Sequence, residues 1–109
     1  MASDKAFAEY ILELMERAGE VTCKSMFGEF GLYLDGKIFG SICDNKLFIK
    51  PTEPGRAFIG EVVEAPPYPG ARLHFLIEDK LEDRDWLGKL VRITAEALPE
   101  PKPKKRKRK

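Results

Sequence analysis

Two dipeptides, Asp35-Gly36 and Asp44-Asn45, constrain this chain more than anything else in it. A tight hairpin turn of type I′ needs positive φ at both central positions, and Asp, Asn and Gly tolerate that best. The segments around both turns alternate in the manner of strands. Phe30, Leu32 and Leu34 precede the first turn. Between the turns Ile38, Gly40 and Ile42 alternate with Phe39, Ser41 and Cys43. Leu47, Phe48 and Ile49 follow the second turn. Region 29–50 is therefore predicted to be an antiparallel meander. Thr22–Met26 reads as a short strand ahead of it. Arg72–Glu78 reads as a later one, with Leu73, Phe75 and Ile77 on one face.

Helical spacing brackets this region. Phe7, Tyr10, Ile11, Leu14, Met15 and Ala18 recur in steps of three and four, which predicts a helix over 4–18. Ser3 is its expected cap and Gly19 its left-handed stop. A second stripe, Leu87, Leu90, Val91 and Leu98, widened by Trp86 and Ile93, predicts a helix over 83–98 that ends at Pro99. Pro51, Pro54 and Gly55 read as breaks before a short helix near 56–60. Pro66, Pro67, Pro69 and Gly70 read as an irregular connection across the sheet edge. The fold class is α+β: an antiparallel sheet flanked by an amino-terminal and a carboxy-terminal helix, each packing one apolar face on it.

Charge divides the chain. The segment 99–109 holds seven basic residues and one acid, a net of +6, whereas residues 1–98 hold 12 basic and 17 acidic side chains, a net of −5. Beyond Leu98 only Pro, Glu, Lys and Arg occur. Such a segment buries no apolar area to offset its ordering entropy, so 99–109 is expected to be a disordered tail on a 1–98 domain. No signal peptide or apolar run of spanning length is visible, and Cys23 and Cys43 do not form a CxxC, so the expectation is a cytoplasmic protein with reduced thiols.

Candidate chemistry is sparse. His74 is the single histidine and lacks the partners of a zinc site or a catalytic triad. A Cys43–His74 pair is the one nucleophile–base combination that can be written, set against two cysteines that act as small buried hydrophobes. The acids Glu78, Asp79, Glu82, Asp83 and Asp85 do not have EF-hand spacing and suit the start of a helix instead. Gly28 and Gly31 form a GxxG that opens a strand rather than joining two helices, so it reads as structural. No metal, cofactor, small-molecule substrate or catalytic residue is expected, and the chain reads as a non-enzyme.

Met26-Phe27-Gly28, Gly31-Leu32-Tyr33, the Asp35-Gly36 turn, Phe39-Gly40 and Leu47-Phe48-Ile49-Lys50 together resemble the TfoX (Sxy) amino-terminal domain family. Phe75, Glu78-Asp79 and Trp86-Leu87 fit its second half more loosely, and the resemblance covers about residues 4–98. It implies an α+β fold, a bacterial origin and a connection to competence or transcription regulation, with no catalytic residues to carry over. Family regulators carry a further helical domain for which these 109 residues have no room, so a stand-alone amino-terminal domain is expected. Lys24 stands where the family often has Arg, and Pro66–Pro69 replaces an aromatic-rich connection.

The tail is the other functional signal. Lys102, Lys104, Lys105, Arg106, Lys107, Arg108 and Lys109 form a dense cationic run. Such a run binds DNA or RNA phosphates by releasing counterions, without reading sequence. Two function classes remain open: a regulator with non-specific nucleic-acid contact through this tail, or a protein-interaction module, homodimeric or with another partner, that has no nucleic-acid role. No membrane partner is expected.

Overall fold

The computed structural model describes residues 4–26 and 29–98. Its elements run α1 Lys5–Leu14, a 3₁₀ turn Glu16–Ala18, β1 Val21–Met26, β2 Glu29–Leu34, β3 Lys37–Cys43, β4 Lys46–Ile49, α2 Glu53–Ile59, β5 Glu64–Ala65, β6 His74–Ile77 and α3 Arg84–Ala97. All strands join one six-stranded antiparallel sheet in the order β1-β2-β3-β4-β6-β5. The α+β class and the flanking helices are as the sequence predicts.

Both tight turns form as their dipeptides dictate. Asp35 and Gly36 have φ of 55° and 79°, and Asp44 and Asn45 have 54° and 56°. Consequently β2, β3 and β4 pair in a meander, with Leu34 opposite Lys37 and Cys43 opposite Lys46.

Strict alternation fails inside β3. Leu32 lies opposite Gly40, but Tyr33 lies opposite Ile38, so Phe39 is an extra residue on its strand. This bulge reverses the facing of the first half of β3. Phe39 turns into the core and is fully buried, whereas Ile38 moves to the opposite face. The expected grouping of Ile38 with Gly40 and Ile42 is thus corrected. Gly40, beside the bulge, is held against the next strand: a Cβ there would stand 2.4 Å from the Phe48 carbonyl oxygen. Only glycine fits that approach.

Leu32, Leu34, Ile42, Leu47, Ile49, Phe75 and Ile77 point to one side of the sheet and meet Ile11, Leu14, Met15, Leu87, Leu90 and Val91 of the helices. Fully burying each such side chain contributes about 1.5–3 kcal/mol. α2 lies on this side too, with Phe58 stacked on Trp86 at 5.6 Å and Gly55 beside Phe75 and Thr94.

Several boundaries differ from expectation. The first helix stops at Leu14 and continues as a 3₁₀ turn to Ala18, and Asp4 at its start makes no side-chain cap. Ser3 lies outside the described residues. Pro54 does not break a helix but sits in the first turn of α2, where no intrahelical partner is lost, and the Thr52 hydroxyl caps Gly55 N at 3.0 Å. Leu73 precedes β6 and is 51% exposed, so it does not join Phe75 and Ile77 in the core. α3 starts as expected from its acids, with Asp83 accepting from Trp86 N at 3.1 Å.

Candidate functional site

All the described helices pack on one face of the sheet. The other face is built by residues that alternate with the core: Gly31 and Tyr33 on β2, Ser41 and Cys43 on β3, Phe48 on β4, and His74 and Leu76 on β6. The connection from 66 to 73 returns over this face, because Pro67 and Tyr68 line the same cleft as Gly31, Ser41 and His74. It therefore covers part of a face rather than merely rounding the sheet edge, as the prolines alone suggest. The cleft encloses about 570 Å³ and opens to solvent. Small residues at its floor, Gly31 and Ser41, make the depression, and Ile38, Phe30, Pro67 and Tyr68 make its apolar walls.

Its two ends differ electrostatically. At one end Glu29 accepts the Asp44 amide at 3.2 Å, beside the buried Cys43. At the other, Lys50 and His74 stand side by side. Ile49 pairs with Phe75, so the next residues along, Lys50 and His74, are opposite one another on the cleft face. His74 Nδ1 lies 3.0 Å from the Arg72 carbonyl oxygen. A carbonyl only accepts, so Nδ1 carries the proton and Nε2 is left as an acceptor. Lys50 is half-buried, and no carboxylate of the described residues pairs with its ammonium. Lys24, farther out on the same face, lies 5.5 Å from the Tyr33 ring centroid.

The sheet keeps Cys43 and His74 apart. Extending the register, Cys43 is level with Glu78 on β6, two strands away and four residues from His74. Strand spacing and rise make that roughly 16 Å. Burial pushes the Cys43 thiol above its ordinary range; contact with Ser41 opposes this, and the charges of Glu29 and Asp44 add to it. A thiolate paired with this imidazole is not what the fold builds. Among the described residues, no cluster of three or more His, Cys, Asp and Glu side chains could hold a metal, and no helix is long and apolar enough to cross a membrane. The acidic run is spent on helix and surface contacts: Asp83 caps α3, Asp85 pairs with Arg17, and Glu82 accepts from the Tyr10 hydroxyl at 3.1 Å.

Residues 13–98 match the TfoX N-terminal domain family. The chain belongs to that family. It is also 39% identical, over 109 residues, to the "uncharacterized 12.7 kDa protein in trpE 5′ region" of Spirochaeta aurantia, an alignment covering 100% of this chain and 95% of that one. The motif residues that carry the resemblance occupy the following places where they are described. Met26 closes β1, Gly31 floors the cleft, and Tyr33 lies under Lys24. Asp35 and Gly36 form the turn, Phe39 is the bulge in the core, and Gly40 abuts Phe48. Phe27 and Gly28 lie outside the described residues, as do all seven tail cations from Lys102 to Lys109.

Sequence reasoning missed the cleft. Ile38, Ser41, Lys50, Pro67 and Tyr68 were not candidates, and only Lys50 offers a signal: a charge directly following the apolar run Leu47-Phe48-Ile49. The others converge through the bulge and the returning connection, neither of which is written in local periodicity.

Proposed function

We propose that this TfoX-family domain is a regulatory binding module that takes part in competence or transcription control in the cytoplasm. Its folded part binds through the helix-free face of the sheet, and the cations of 102–109 add sequence-independent affinity for DNA or RNA. The observation that carries this reading is the placement of every described helix on one face, which leaves an apolar cleft on the other. The groups fit for nucleophilic chemistry, by contrast, are held apart. A binding face with separated reactive groups supports a binder over a catalyst. The body at −5 repels a polyanion, so nucleic-acid affinity belongs to the tail. The test is a salt titration of the full chain on two unrelated duplexes, beside a variant with the seven tail cations changed to Gln. Affinity that falls steeply with salt and vanishes in the variant supports the reading; equal affinity in both chains refutes it.

The protein-interaction reading has its own observation. β1 ends the sheet, with six residues whose outer edge pairs with no strand of the described residues. A second copy or another chain could add a strand there. Concentration-dependent dimerisation in sedimentation, abolished by Ser25→Pro, supports this alternative.

A further inference from the structure

We infer that the cleft on the helix-free face is a binding site for a small apolar carboxylate, whose carboxyl group meets the Lys50 ammonium beside His74 and whose body lies over Gly31 and Ser41. The inference rests on the reading of that face as the binding face and adds the chemistry of what it takes.

Three observations lead to it. The cleft, at about 570 Å³, falls within the range of small-molecule sites and is walled mainly by apolar side chains. Its charge is asymmetric. Lys50 is half-buried beside an apolar floor, and no carboxylate of the described residues neutralises it. A cation so placed lacks both full hydration and a counter-charge, so an incoming anion gains more there than at an open surface lysine. His74 stands opposite Lys50 with Nδ1 donating to the Arg72 carbonyl, which fixes the ring and leaves Nε2 an acceptor, so the imidazole borders the Lys50 end while Lys50 alone donates to the carboxylate. The opposite end carries Glu29, already engaged by the Asp44 amide, and a negative charge there repels a second anionic group. One acid head and an apolar body therefore match the site better than a dicarboxylate or a phosphate diester.

Length follows from the register. From the Lys50 level to the Cys43 level is four residues along β4, since Lys46 pairs with Cys43. That makes the floor roughly 13 Å long at the ordinary strand rise. An unbranched acid of medium length or an arylalkanoate spans it. Gly31 and Ser41 are the specificity residues, because any larger side chain at either would stand in the path of the ligand body.

The experiment is an amide-resolved NMR titration of the full chain with sodium octanoate. Octylamine hydrochloride serves as the charge-reversed probe of equal apolar content. Expected are saturable shifts at Gly31, Ser41, Lys50 and His74 with octanoate, and affinity for octylammonium weaker by about ten-fold or more. Lys50→Met, with Lys50→Gln as a second variant, should abolish that discrimination while the remaining amide shifts stay as in the unaltered chain. Equal affinity for the two probes, or non-saturating shifts, overturns the carboxylate assignment and leaves the binding-face reading standing. Saturable shifts confined to the separate cleft of Ile59, Val62, Leu76 and Trp86, with none at Gly31 or Ser41, overturn both.

Discussion

The ammonium of Lys37, first residue of β3, donates to the carbonyl oxygen of Ala95 in the last turn of α3 at 2.9 Å. Cation and helix carboxy-terminus complement each other, and the contact ties the Asp35-Gly36 hairpin to the end of the last helix. The same carbonyl is reached by the Leu98 amide at 3.3 Å, so it is not orphaned when Lys37 is lost. Lys37→Met keeps the packing of the stem and should cost about 1 kcal/mol rather than the larger penalty of a stranded buried acceptor. Urea unfolding measures it; an unchanged midpoint would show that the contact contributes nothing.

Two glycines should respond differently. Gly40→Ala forces a Cβ to within 2.4 Å of the Phe48 carbonyl oxygen, a backbone atom that cannot swing aside. Moving β3 from β4 is the remaining way out, at a cost of about 1–3 kcal/mol or more. Gly36→Val meets strain instead, at φ 79°, on the order of 1 kcal/mol or more. If thermal melts rank Gly36→Val as the more damaging, the bulge geometry is wrong.

Thr94 is fully buried and its hydroxyl has no partner among the described residues. Thr94→Val removes an unsatisfied polar group and keeps the branched shape, so it should stabilise the domain by about 1 kcal/mol. Calorimetry decides; a loss of that size would mean that the hydroxyl is bonded in solution.

The Cys43 thiol, raised mainly by burial, should react slowly. Iodoacetamide labelling followed by mass spectrometry should modify it at least about ten-fold more slowly in the folded than in the urea-unfolded chain near neutral pH. The sign of the pH effect follows. A folded pKa above the unfolded one contributes stability that is present below the ordinary thiol range and lost as pH rises through the folded value. The difference in stability between the unaltered chain and Cys43→Ala should therefore shrink on the alkaline side. Fast labelling at neutral pH would argue that the thiol is neither buried nor raised.

For the tail, engagement of about five to seven phosphates predicts a slope of roughly −4.5 to −6.3 in log K against log salt. Between 50 and 200 mM salt the affinity should drop by about three to four decades. Two unrelated duplexes should bind alike, because phosphate contacts do not read bases. A strong preference for one duplex would move recognition onto the folded domain.

The hairpins, the two flanking helices and the α+β class are legible in the sequence, because each rests on local chemistry. Asp35-Gly36 and Asp44-Asn45 tolerate positive φ at neighbouring positions, and Asp83 caps the helix that its own apolar stripe describes. Contacts between residues distant in sequence were not legible. Leu73 keeps the alternation of Phe75 and Ile77 yet stays exposed, since no partner strand reaches it. Phe39 and Ile38 exchange faces through a bulge that period-two reading cannot register. Pro54 looks like a breaker until Thr52 caps the turn around it. The cleft depends on all such long-range terms at once. The bulge delivers Ile38, the β4–β6 pairing sets Lys50 beside His74, and the 66–73 connection brings Pro67 and Tyr68 back over Gly31. Turn and helix signals act within a few residues, whereas this face is assembled by pairing and packing between segments up to about 40 positions apart, which local periodicity does not encode.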